Sequence, residues 1–173
     1  MDASAISQII FLIILLILSA FFSSAETALT TVNKIRMRTL ADDGNKRAER
    51  VLRITDDSHK MLSAILICNN IVNLSASSLA TTLAIKLWGS VGAGIATGIL
   101  TFLILVFGEI SPKTFATLYA DQISIAYSGI IGFLMKILTP VIFLVNQFSM
   151  GFLFLLHMDP KANNNQMTEE ELR

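Results

Sequence analysis

An all-α integral membrane fold is what this sequence predicts, with three spanning helices and shorter helices at the inner membrane surface. Three observations carry that expectation. The 173 residues are 53% apolar and only 15% charged, with no net charge. Eight of the thirteen Lys and Arg fall between Lys34 and Lys60, which leaves long uncharged stretches elsewhere. Three of those stretches are long enough to cross a hydrocarbon core of about 30 Å. The pattern fits one polytopic membrane domain, numbered 1–158, and fits a soluble globule poorly.

The first span is expected over residues 6–31. Ile9 to Leu18 is continuously apolar. Asp2 precedes it, no Lys or Arg does, and no small-x-small cleavage site follows, so an uncleaved helix is expected. It turns polar at its end, with Ser23, Ser24, Glu26 and Thr27.

Residues 34–60 form a charged amphipathic stretch in which Ile35, Leu40, Val51, Leu52 and Ile54 interrupt Arg and Lys. Asp43-Gly44-Asn45 is a turn signal that divides it into two short helices. Short basic loops stay cytoplasmic. The first span therefore runs from outside to inside, with the N-terminus outside. The basic stretch has no interleaved aromatics, so anionic lipid headgroups suit it and nucleic acid does not.

The second span, residues 61–87, returns outward. Asn70, Asn73, Ser77 and Thr81 recur at three- or four-residue spacing and so share a helical face. Trp88-Gly89-Ser90 is a short outer turn. The third span, residues 91–119, comes back in, and its Gly94-Ile-Ala-Thr-Gly98 with Gly92 and Ala96 offers a face for close helix approach.

Residues 123–156 are apolar again but interrupted at Thr139-Pro140, with Lys136 just before. Two readings stand: one kinked fourth span, or two helices that enter the inner leaflet and return. Residues 159–173 read as a polar linker on the cytoplasmic side, and Thr168-Glu-Glu-Glu-Leu-Arg173 reads as the start of a helix leading into a further domain.

The chemistry lies in Gly108-Glu-Ile-Ser-Pro-Lys113. A carboxylate at membrane depth costs about 2.5–3.5 kcal/mol or more and is a functional-site hypothesis by default. Pro112 has no N–H to donate and loosens the helix around Gly108, so main-chain oxygens become available. Hydroxyls of Ser23 and Ser24, the amides of Asn69, Asn70 and Asn73, and the Glu109 carboxylate are oxygen ligands of the kind hard cations take. Soft metals would ask for His and Cys. Cys68 is alone, and His59 and His157 sit near segment ends. Bland roles also exist. A serine can bond the carbonyl one turn back, Asn73 can join helices, Glu109 can pair with Lys113, and Glu26 can brace the inner end of its helix.

Phe21-Phe-Ser-Ser-Ala-Glu-Thr-Ala-Leu29, Asn69-Asn-Ile-Val-Asn73 and Gly108-Glu-Ile-Ser-Pro-Lys113 resemble, in order and spacing, the three signature stretches of the transmembrane domain in CorC/cyclin M (CNNM) magnesium transporters. The resemblance implies a homodimer of three-span domains with a belt-like inner helix, followed by a cytoplasmic CBS pair that binds adenine nucleotide. It implies magnesium efflux, coupled to sodium. It implies dehydrated Mg2+ held by Ser23 or Ser24, Asn70, Glu109 and the Gly108 carbonyl. Glu26, Asn69, Asn73, Pro112 and Lys113 are read from the residues themselves as supporting that site. Without CBS modules in these 173 residues, nucleotide regulation is not expected of them. The competing readings are a transporter for sodium or cobalt, and a membrane-embedded magnesium sensor. An enzyme is not expected: HExxH is absent and neither histidine lies near Ser23 and Ser24.

Overall fold

A computed structural model describes residues 3–155. Its helices are α1 (Ala3–Thr31), α2 (Lys34–Asp42), α3 (Lys46–Asp56), α4 (Ser58–Leu103), a π-helical segment (Ile104–Ile110), α5 (Ser111–Leu118), α6 (Ala120–Ile137) and α7 (Thr139–Leu155). No strand occurs among the described residues. Three stretches are long and apolar enough to cross a membrane: Ala5–Thr31, Ser58–Gly89 and Gly92–Leu118. The protein is an all-α membrane protein. The polar linker over 159–173 lies outside the described residues.

The helix ends follow the polar residues. Asn33 caps α2 by accepting from the Arg36 N–H, Asn45 caps α3 by accepting from the Arg47 and Ala48 N–H groups, and Asp57 caps α4 by accepting from the Lys60 N–H. Each cap satisfies a donor that the helix leaves unpaired. Gly44 stands between α2 and α3 with φ 88°, and Gly89 breaks α4 with φ 73°, a left-handed region that residues with a Cβ avoid. Gly89 is the break between two spans expected from Trp88-Gly89-Ser90. His59 and Lys60 belong to the start of α4, not to the amphipathic pair before it.

Helix α1 is the centre of the packing, in contact with α4, the π segment and α5. Its N-terminal half exposes Ile10, Phe11, Ile13, Ile14 and Ile17, as lipid demands of a spanning helix. Its C-terminal half is enclosed: Phe22, Ser23, Ser24, Ala25, Ala28 and Leu29 are all buried. Ala28 meets Ala116 of α5 and Ile123 of α6, with Tyr127 over them and Phe21 against the Tyr127 ring at 4.4 Å. Small residues permit this close approach.

The amphipathic helices brace the C-terminal end of α1 and the start of α6. Helix α3 buries Ala48, Val51, Ile54 and Thr55 on one face. Arg36 of α2 pairs with Asp121 of α6 at 3.1 Å, and the other Asp121 oxygen accepts from the Asn33 N–H at 3.2 Å. The apolar run after residue 123 is two helices, broken at Leu138 two residues before Pro140. Pro140 falls in the first turn of α7, where its missing N–H is no loss. Ile137 begins a second compact unit, to which α7 belongs.

Asn45→Ala orphans the Arg47 and Ala48 donors at once. It should lower stability by about 1 kcal/mol, read as a lower melting midpoint of the purified protein in detergent. An unchanged midpoint would show that the cap contributes nothing to holding α3 in place.

Candidate functional site

The site grows from a missing hydrogen bond. In an α-helix the Gly108 carbonyl would accept from the N–H of residue 112, which here is Pro112 and has none. The backbone answers by widening: Ile104–Ile110 is π-helical, and the Ser111 N–H bonds to the Val106 carbonyl five residues back. Single π turns of this kind are frequent at functional sites. Gly108 is buried in this segment and Glu109 is half-buried beside it.

Glycine at 108 is a steric requirement. A Cβ there would lie 2.8 Å from the Ser19 Oγ, 3.3 Å from the Ser19 Cβ and 3.5 Å from a Leu16 methyl. The main chain of the π segment thus lies directly on α1 at Ser19.

Glu109 Oε1 accepts a long hydrogen bond, 3.4 Å, from the Asn73 amide nitrogen of α4. That orientation turns the Asn73 Oδ1 away from the carboxylate, and this oxygen is buried without a protein partner. Asn69, one turn earlier on the same face, also has a buried Oδ1 without a partner. Ser19 and Ser23, one turn apart on α1, each have a buried hydroxyl oxygen in the same condition. Helix α1 packs on α4 and on the π segment, and α4 packs on the π segment too. Buried polar atoms without partners cost about 1–3 kcal/mol each. Gln8 Oε1 and Ser124 Oγ are also unpartnered, but Gln8 is about 22 Å back along α1 from Ser23 and Ser124 is on α6.

The other expected residues divide. Ser24 is buried, but its hydroxyl donates to the Phe21 carbonyl at 2.9 Å, the local back-bonding role. Asn70 is exposed and lies off the Asn69–Asn73 row. Lys113 does not pair with Glu109. Its ammonium meets the Glu26 carboxylate of α1 at 3.2 Å. The reason is the π segment: where backbone bonds close over five residues, position i+4 no longer stands above position i. Glu26 therefore finds its cation on α5 and not in the basic loop. Gly92 also departs from the expected close-approach face, since a Cβ there would lie 2.6 Å from the Trp88 Cβ, so it serves the outer turn. Cβ atoms at Gly94 and Gly98 would meet nothing within 4 Å, so among the described residues nothing packs against those two positions. Ser19 was missed from sequence. The signal was its spacing, one turn before Ser23 on the same face.

Among the described residues no three His, Cys, Asp or Glu side chains gather as a metal cluster. Hydroxyl, amide and main-chain oxygens around one carboxylate are what this arrangement offers, a donor set for a hard cation. The model of the cyclin M transmembrane N-terminal domain matches residues 10–173. The chain belongs to that family. It is 42% identical to a UPF0053 protein of Haemophilus influenzae, over 100% of this chain and 41% of that protein. It is 36% identical to the UPF0053 inner membrane protein YfjD of Escherichia coli, over 90% of this chain and 37% of that protein. A polyamine export protein of Haemophilus influenzae is 25% identical over 95% of this chain and 41% of its own length. The chain spans about two fifths of the length of these relatives.

Gly108→Ala should clash with Ser19 and destabilise the domain by about 1–3 kcal/mol, as overpacking does. Adding Ser19→Ala removes the nearest atom and should recover part of the loss. Melting midpoints of the two single variants and the double variant measure this; additive losses would place the strain elsewhere.

Proposed function

We propose that this domain is the membrane core of a magnesium exporter, with the ion held between α1, α4 and the π segment. The observation that supports it is the group of buried oxygens of Ser19, Ser23, Asn69 and Asn73, without protein partners, on elements that meet around Glu109. Magnesium takes about six oxygens in near-octahedral array at about 2.0–2.1 Å. In this proposal Ser23 supplies the hydroxyl, because its buried oxygen has no hydrogen-bond partner among the described residues, whereas the Ser24 hydroxyl is oriented by its bond to the Phe21 carbonyl. Glu109 supplies the charge, Gly108 a main-chain carbonyl, and Asn69 and Asn73 the amide oxygens. Asn70, which the family resemblance names, is the comparison.

The wider proposal is an inner-membrane homodimer, coupled to sodium, whose longer chain carries a cytoplasmic CBS module. The name of the Escherichia coli relative supports the membrane. The open face at Gly94 and Gly98 supports the dimer. Sodium coupling and the CBS module rest on the family resemblance alone. A second reading is export of a polyamine, favoured by the name of one relative. Such a cargo also needs acceptor oxygens around a carboxylate, but no compact octahedron. A magnesium sensor that moves no ion, and a sodium or cobalt transporter, remain as outcomes of the flux test.

Calorimetric titration with magnesium chloride tests the site. Glu109→Gln should weaken binding at least tenfold, about 1.4 kcal/mol. Ser23→Ala should weaken it several-fold and Ser24→Ala hardly at all; Asn73→Ala should exceed Asn70→Ala. Equal affinity in Glu109→Gln would remove the carboxylate from the site, and the reverse serine order would move the hydroxyl ligand to Ser24. Proteoliposome flux then separates the readings. Magnesium release driven by a sodium gradient is expected. Binding without flux would make the protein a sensor, and flux of spermidine, sodium or cobalt but not magnesium would establish another cargo.

Sidedness has its own test. In a Cys68→Ala background, Asp43→Cys lies in the turn between α2 and α3. An impermeant maleimide should label it in inverted vesicles only, since the basic stretch around it belongs inside. Labelling from the outer face alone would invert the topology.

A further inference from the structure

A second polar cluster lies away from the candidate ion site, at the inner end of α3. Arg50 and Ile54, one turn apart on α3, rest on Gly129 and Gly132, one turn apart on α6. A Cβ at Gly129 would lie 3.1 Å from the Arg50 Nη1, and one at Gly132 would lie 3.3 Å from the Ile54 Cδ1. Beside this contact is a cavity of about 540 Å³ lined by the side chains of Arg50, Arg53, Lys60 and Lys136. Asp57 is the single carboxylate in its wall, and it caps α4 by accepting from the Lys60 N–H at 3.1 Å. Arg53 is tied to Glu49 at 2.8 Å. Arg50, Lys60 and Lys136 make no ion pair among the described residues. The size is that of a small-molecule site, about 300–1,000 Å³.

The wall is also apolar. Ile54, Phe133 and Met135 line it, and Phe133 is exposed, as is Ile130 one turn back on α6. Lys60 stands in the first turn of Ser58–Gly89, so the cavity lies where a spanning helix leaves the bilayer. Three uncommitted cations next to exposed aromatic and aliphatic groups, at that depth, match an amphiphile with a negative head. A soluble anion would have no use for the apolar side.

We propose that this cavity binds the phosphate headgroup of an acidic phospholipid, with Arg50, Lys60 and Lys136 around the phosphate and the acyl chain along Phe133. The site is independent of the magnesium reading. Basic pockets beside membrane helices recognise lipid headgroups by this chemistry.

Native mass spectrometry of the purified protein with added phosphatidylglycerol, phosphatidylcholine or inorganic phosphate tests it. Phosphatidylglycerol should bind the unaltered protein, and Arg50→Gln with Lys136→Gln should weaken it about tenfold or more. Arg38→Gln with Lys46→Gln removes as much charge outside the cavity and should leave binding unchanged. Melting in lipid-free detergent checks that the variants fold; if the first pair does not, Lys60→Gln with Lys136→Gln replaces it. Equal weakening by both pairs would reduce the effect to general surface charge and overturn the proposal. So would phosphatidylcholine binding as tightly, or inorganic phosphate displacing the lipid at equal concentration.

Discussion

A backbone N–H or C=O left unpaired in hydrocarbon costs several kcal/mol, and almost every local feature of this domain answers to that cost. Pro112 removes one donor from a helix that has to cross the membrane. The chain can neither leave the gap nor fill it with lipid, so it winds one segment into π geometry over Ile104–Ile110. That change of pitch decides which side chains meet. It sets Gly108 against Ser19 and brings Glu109 within reach of Asn73. It also turns Lys113 away from Glu109 and onto Glu26. The Glu26 carboxylate is thus paired with a cation of α5, while Glu109 has the Asn73 amide as its hydrogen-bond partner.

Around this interrupted helix the structure separates two kinds of polar residue. Several on the juxtamembrane helices are committed to one another or to a helix end: Arg36 and Asp121, Arg53 and Glu49, and the asparagine caps of α2 and α3. Four others on α1 and α4 are not, since Ser19, Ser23, Asn69 and Asn73 each bury an oxygen without a hydrogen-bond partner among the described residues. The first kind holds juxtamembrane helices against the ends of the spans. In the proposed function, a cation between the helices would supply the partner that the second kind lacks.

Much of this was legible in the sequence. Three long apolar runs left one way to satisfy their backbone in a bilayer, so helices followed from composition and length. The turns at Gly44 and Gly89 were readable because glycine there admits a positive φ, and Asn33, Asn45 and Asp57 are residue types that cap helices. Pro112 announced a disturbance four residues upstream by chemistry alone. Glu109, Ser23 and the asparagine cluster stood out because polar groups are rare in such surroundings.

Which of these polar groups were spent and which left over was not legible, because that depends on distances between helices. Ser23 and Ser24 are neighbours of one type, and only the structure shows that the Ser24 hydroxyl donates to the Phe21 carbonyl while the Ser23 hydroxyl is buried without a partner among the described residues. The spacing of Glu109 and Lys113 suggested an ion pair under α-helical pitch, and the pitch itself changed. Ser19 looked like one more small residue in an apolar run until the π segment came to lie on it. Sequence by itself determined the all-helical membrane class, the helix breaks and the short inventory of oxygen donors, since those follow from local chemistry and from the solvent. Tertiary structure decided the commitments among those donors, because a hydrogen bond forms or fails over a few tenths of an ångström that no spacing rule encodes.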